Sequence, residues 1–253
     1  MKERIEEAKK ILLDNRKNGY TLPTNNKLYP AQWNWDSAFI ALGYSYFNLD
    51  YALEEMETLL AGQWDDGMVP HILFHDNDTT YFPNHTTWKC GKNIPSSGIT
   101  QPPVIASILK IILGNQQINE GQNNRVFQII KKIKKYHDWF IKFRDPNKTG
   151  LISILHPWES GYDNSPIWDV PMSNINVDKE LHYQRRDLEV SSSDERPLKK
   201  DYDRYITIRD QFREVNYDPN KLYNISVFTL YLVATLSIVV STLSIILPSD
   251  FST

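Results

Sequence analysis

An all-α domain assembled from helical hairpins is what this sequence predicts, and three observations carry the prediction. Apolar residues recur at helical rather than strand spacing through most of the chain. A nearly all-apolar helix is twice followed by an amphipathic one, the pattern of an inner and an outer helix. No alternation of period two runs long enough to build a sizeable sheet.

The elements follow in order. Residues 3–14 set Ile5, Ala8, Ile11 and Leu12 on one stripe, predicting a helix with one buried face. After a loop rich in Pro and Asn, "WDSAFIALGYSYF" (35–47) is apolar nearly all round, as a helix buried on several sides would be. "DYALEEMETLLAGQ" (50–63) returns to an amphipathic pattern with Asp50 as its N-cap. The alternation repeats. "TQPPVIASILKIIL" (100–113) carries two prolines where a first helical turn tolerates them, and 125–144 is amphipathic with a lysine face, closed by "DPNKTG". A further helix over 202–214 aligns Tyr205, Ile208 and Phe212.

Residues 225–247 break the pattern, because this stretch holds no charge and has the length that a membrane-spanning helix requires. Three readings stand open for this apolar helix: a membrane anchor, a buried inner helix, or a tail produced by a truncated or shifted reading frame. The domain itself is expected over 1–220.

Composition narrows the function. The chain has 253 residues, 41% hydrophobic and 12% aromatic, enough for a real core. A formal net charge of -3 with no long basic block leaves nothing to neutralise phosphates, so nucleic acid is excluded as a partner. Cys90 is the only cysteine, which rules out an internal disulfide framework and suits a reducing compartment. The N-terminus lacks the apolar core and cleavage site of a secretory signal. A cytoplasmic location is expected, with attachment to a membrane through 225–247 left open.

Aromatic and polar residues concentrate in four loops: "LYPAQWNWDSAF" (28–39), "WDDGMVPHILFH" (64–75), "SSGITQPP" (96–103) and "HPWESGYDNSP" (156–166). Flat rings beside carboxylates and amides suit a sugar, whose C–H face stacks on the rings while Asp, Asn and Gln bind its hydroxyls. Taken singly, Trp33, Trp35, Trp64 and Trp158 also read as core aromatics. His71, His75, Asp76 and His85 have spacings that metal ligands can show, but no cysteine or further acid completes a set, so no metal or other cofactor is expected.

In the order "QWNWDSAF", "DDGMVPHI", "SGITQPP" and "HPWESGYDNSP", these motifs resemble the inverting glycosidases of glycoside hydrolase family 63. The resemblance is to the branch of mannosylglycerate and glucosylglycerate hydrolases, and more distantly to trehalases, over about residues 5–215. It implies an (α/α)6 toroid, six hairpins whose inner helices surround a pocket. It also implies roles: Asp163 as general acid; Asp36 and Gln101 binding sugar hydroxyls; Tyr29, Trp33 and Trp35 as pocket wall; and Trp158 and Gly161 beside the acid. Arg196 and Tyr202 match the segment that closes over substrate and are implied ligands of a glycerate carboxylate, a task that suits a guanidinium fork. Read without the resemblance, Asp163 also fits an Asx-type turn, Asp36 a helix N-terminal acid, and Arg196 and Tyr202 a solvated loop.

An inverting mechanism needs a second carboxylate, and in this family the base is a glutamate in the later helices. No Asp or Glu lies between Asp218 and Asp250. The expectation is therefore about half of a toroid, with the acid present and the base missing. Glu159 is a poor substitute because it shares the acid's own turn. A partner chain completing the toroid, or a non-catalytic sugar-binding or membrane-tethered fragment, remains the alternative.

Overall fold

The computed structural model describes residues 2–24, 28–178, 180–189, 192, 196–226 and 230–232. The chain is mostly helical. Helix α1 (Lys2–Asn15) leads into strand β1 (Gln32–Trp33), then α2 (Asn34–Ser45) and α3 (Leu49–Ala61) form the first hairpin. Strand β2 (Ile72–Leu73) and the one-turn α4 (His85–Trp88) precede the second hairpin, α5 (Ile105–Asn115) and α6 (Glu120–Arg144). Strand β3 (Ile152–Ile154), α7 (Asp169–Ser173), α8 (Lys199–Glu214), α9 (Pro219–Ile225) and strand β4 (Leu230–Leu232) complete the described α-helices and strands.

The expected alternation is realised. Besides packing within each hairpin, α2 lies against α5 and α3 against α6, so inner helix meets inner and outer meets outer. Leu53, Met56, Leu59 and Leu60 of α3, Leu109 and Ile112 of α5, and Tyr136 and Trp139 of α6 are buried in this first core. A second core lies under the loops and α8, where Tyr205, Ile208 and Phe212 turn inward as their spacing predicts.

Several details differ from the sequence reading. Asn48, not Asp50, caps α3: its side chain accepts from the Tyr51 N–H, and Asp50 sits in the first turn bound by Arg125 and Gln122. Asparagine at this position satisfies the orphan amide as well as aspartate does, leaving the carboxylate to reach α6. Helix α6 starts at Glu120 because Asn119 and Gln122 close a capping box, a signal hidden in a polar run without apolar period. Of the α1 stripe, Leu12 packs on the domain while Ile5 and Ile11 stay 49% and 59% exposed, since nothing among the described residues lies over that flank. Phe39 is likewise half exposed, so α2 is not buried all round.

The apolar helix expected at 225–247 falls mostly outside the described residues. Within it, Ile225 ends α9 and Leu230–Leu232 is a strand, paired antiparallel with β3 so that Ser153 faces Tyr231. A continuous apolar, charge-free run has no periodicity with which to separate strand from helix. Among the described residues, no helix is long and apolar enough to cross a membrane.

Candidate functional site

The four motif loops, far apart in sequence, are knitted side by side. Strand β1 pairs antiparallel with β2, placing Trp33 opposite Ile72, and the Asn34 N–H donates to the His71 carbonyl at 3.0 Å. The third loop joins on the other side, with the His71 N–H donating to the Ile99 carbonyl at 2.7 Å and the Ile72 N–H to Ser97 Oγ at 2.9 Å. Gln101 crosses back to the first loop, its Oε1 accepting the Trp35 N–H at 3.0 Å at the start of α2.

Glu159 ties in the fourth loop. Its Oε1 accepts from Arg144 Nη2 at 2.5 Å and from the Thr100 N–H at 3.3 Å, while Oε2 accepts from the Leu155 N–H at 3.0 Å. Arg144 and Glu159 are 1% and 3% exposed, so this is a buried ion pair inside the protein and not a group facing ligand.

The loops enclose a cavity of about 350 Å³. Every site residue that the resemblance implied lines it: Asp163, Asp36, Gln101, Tyr29, Trp33, Trp35, Trp158, Gly161, Arg196 and Tyr202. Trp33 meets Tyr29 edge-on at 5.1 Å, and Trp158 meets Tyr202 edge-on at 5.7 Å. Gly161 has φ 70°, and a Cβ there would lie 2.8 Å from the Trp35 ring, so the turn before Asp163 and the indole can approach this closely only at glycine.

The cavity carboxyls are partly shielded from water. Burial pushes Asp36 up to about 6, its own backbone N–H opposing. Burial also raises Asp163, against the pull of its own N–H and of the Arg196 guanidinium. The Tyr205 hydroxyl donates to the Asp163 carbonyl at 2.8 Å, anchoring the turn from α8. Asp163 and Arg196 also line an adjoining cavity of about 340 Å³, so these residues stand between two spaces.

Arg196 Nη2 donates to the Tyr29 hydroxyl at 3.2 Å, and Arg196 Nε lies 3.5 Å from Asp187. The Tyr202 hydroxyl donates to the Phe82 carbonyl at 2.9 Å, which leaves its ring as cavity wall. Sequence reasoning missed His71, Tyr81 and Asp187 in the lining. His71 is legible within "MVPHI", but its spacing invites only a metal-ligand reading. Its ring instead stacks with Trp158 at 6.4 Å, and burial depresses it to about 3, keeping the imidazole neutral. His75 points elsewhere, stacking on Tyr20 and bonding Gln32. Among the described residues, no cluster of three His, Cys, Asp or Glu side chains could hold a metal ion.

Two helical hairpins beneath an aromatic, carboxylate-bearing cavity match part of the six-hairpin helical fold of GH63 glycoside hydrolases. The structure superposes with a TM-score of 0.89 at 39% identity on a GH63 mannosylglycerate hydrolase from Thermus thermophilus, crystallised with Tris and D-glycerate, over 95% of this chain and 58% of that one. Residues 29–245 match the family described as "Mannosylglycerate hydrolase MGH1-like glycoside hydrolase domain", and the chain belongs to that family. Mannosylglycerate hydrolase MGH2 of Selaginella moellendorffii is 43% identical over 87% of this chain and 45% of its own length. A curated mannosylglycerate hydrolase of Thermus thermophilus is 42% identical over 87% of this chain and 54% of its own length. The chain thus spans about half the length of the curated relatives it matches.

Proposed function

We propose that the cavity binds a small α-glycoside of the mannosylglycerate or glucosylglycerate kind, with Asp163 as general acid. The observation that carries this reading is the meeting of two carboxyls of raised pKa with an amide, three indoles and a guanidinium in one cavity. A carboxyl raised by burial keeps its proton closer to neutral pH, as donation to a departing glycosidic oxygen requires. Asp36 and Gln101 bind sugar hydroxyls. The Gln101 Oε1 is engaged by Trp35, so its amide N–H groups are the donors that remain. Trp33, Trp35 and Trp158 wall the ring, and Arg196 takes the glycerate carboxylate through its fork.

An inverting reaction also needs a base about 6.5–9.5 Å from the acid. Among the described residues the cavity carboxylates are Asp36, Asp163 and Asp187, with no glutamate, and Asp187 is engaged by Arg185. The chain by itself is accordingly proposed to bind substrate with little turnover, which also favours the second reading, a sugar-binding protein.

Calorimetric titration with mannosylglycerate, glucosylglycerate and trehalose, alongside hydrolysis assays, tests both. Binding of at least one glycerate glycoside, weakened about tenfold or more in Arg196→Ala, is expected. Turnover that vanishes in Asp163→Asn would show that a base is present and overturn the missing-base reading. Failure of all three ligands to bind would overturn the site assignment.

A further inference from the structure

Glu55, in the middle of α3, is fully buried and outside the cavity, yet its contacts lead to the cavity's most indole-rich strip. Its Oε1 accepts from Gln32 Nε2 at 2.9 Å and from Ser37 Oγ at 2.7 Å. Gln32 also donates to the Glu55 backbone carbonyl at 3.2 Å. Gln32 and Ser37 immediately flank the strip Trp33–Asp36, which sends Trp33, Trp35 and Asp36 to the cavity. One carboxyl oxygen therefore holds both ends of that strip.

The surroundings define the state in which it does so. The Thr21 hydroxyl faces the carboxyl and favours its charged form, while Glu55 Oε2 has no well-formed hydrogen bond and the cation nearby, Arg16, forms its ion pair with Glu54. Tyr44 reaches the same region from α2, its hydroxyl 3.0 Å from Thr21 Oγ1. Beyond Gln32, His75 Nε2 lies 2.8 Å from Gln32 Oε1 and its ring stacks on Tyr20, whose hydroxyl donates to Asp76 at 3.1 Å. A buried carboxylate with no counter-ion of its own is costly, and protonation at the idle oxygen removes that cost without disturbing the two bonds accepted at Oε1. Burial raises the group to about 7, against opposing hydrogen bonds and Arg16.

We propose that Glu55 is a positioning residue for this site, clamping Gln32 and Ser37 so that Trp33, Trp35 and Asp36 are presented to ligand. The proposal rests on the cavity being the binding site for its functional consequence, but the position of the indoles can be read without ligand.

The test uses indole ¹⁵N–¹H resonances of the full chain, assigned by single Trp→Phe substitutions, followed from pH 5 to 9, with mannosylglycerate titrated in parallel. In the wild type, the Trp33 and Trp35 signals should show a step with midpoint near 7 that persists in Asp36→Asn. Glu55→Gln keeps the acceptor oxygen and cannot ionise, so it should hold both indoles at their low-pH positions, remove the step and bind within about twofold of wild type. Glu55→Ala should displace both indoles and weaken binding about tenfold, the order of one lost hydrogen bond's ordering. If Glu55→Ala does not fold, Ser37→Ala releases one arm and should move Trp35 more than Trp33. Unmoved indoles in the folded Ala variants, or a step unchanged in Glu55→Gln, would overturn the proposal. Absence of mannosylglycerate binding by wild type with the indole results intact would instead overturn the ligand assignment and leave the clamp standing.

Discussion

Replacing Glu159 by alanine should cost this protein a large part of its stability, because the carboxylate serves three donors at once in a buried place. Its loss strips the Arg144 Nη2 of its partner and leaves the Thr100 and Leu155 amides without theirs. Arg144 Nε and Nη1 already have no partner, and its guanidinium lies 4.9 Å from the Trp139 ring centroid, so no acceptor stands ready to take over. Removing one member of a buried pair costs about 3–5 kcal/mol, and each buried amide left open adds about 1–3 kcal/mol when counted alone. These terms overlap, since a shift that admits water to one group admits it to all, so a net loss of about 4 kcal/mol is expected. Urea unfolding followed by far-UV circular dichroism measures it. The double variant Arg144→Met/Glu159→Leu, which removes the pair together, should recover at least half of the loss. A loss below about 1 kcal/mol in Glu159→Ala, or a double variant no better than the single, would refute the view that the ion pair staples the third and fourth loops.

Other expectations follow from the same geometry. Gly161→Ala forces a left-handed backbone on alanine and drives its methyl into the Trp35 ring, so a loss of about 1–2 kcal/mol from the backbone alone and weaker glycoside binding should appear in thermal melts and titrations. Gln101→Ala leaves the Trp35 N–H without its acceptor and should cost about 1 kcal/mol, whereas Gln101→Glu, which keeps an acceptor, should retain most of that stability. The pH dependence of stability should show two opposing arms in urea midpoints. Glu55, raised from 4.5 to about 7, binds its proton more tightly when folded; its contribution is full below 4.5 and is lost as pH rises through 7, and Glu55→Gln should flatten that arm. His71 and His156, depressed from 6.5 to about 3 by burial, contribute fully above 6.5 and lose that contribution as pH falls toward 3.

Much of the molecule was legible before any coordinates. Helical period and the alternation of all-apolar with amphipathic segments are local properties, so both hairpins and α8 could be read from residues within a few turns of one another. The ten residues that the resemblance implied, eight from the four motifs and Arg196 and Tyr202 from a later segment, line one cavity. Boundaries fared less well where polar side chains act as caps, as Asn48 and Asn119 do, because such signals lie outside the apolar period.

What the sequence determined by itself was therefore where helices form and which loops carry polar and aromatic groups. Only the tertiary structure decided the destiny of each carboxyl. Glu159 and Asp163 belong to one turn, yet the first is sealed against Arg144 and the second lines the cavity; Glu55 and Asp50 belong to one helix, yet the first is buried under β1 and the second faces Arg125. The reason is that burial and partners, which set the energy of a charge, come from segments distant in sequence, whereas periodicity reports only on neighbours along the chain.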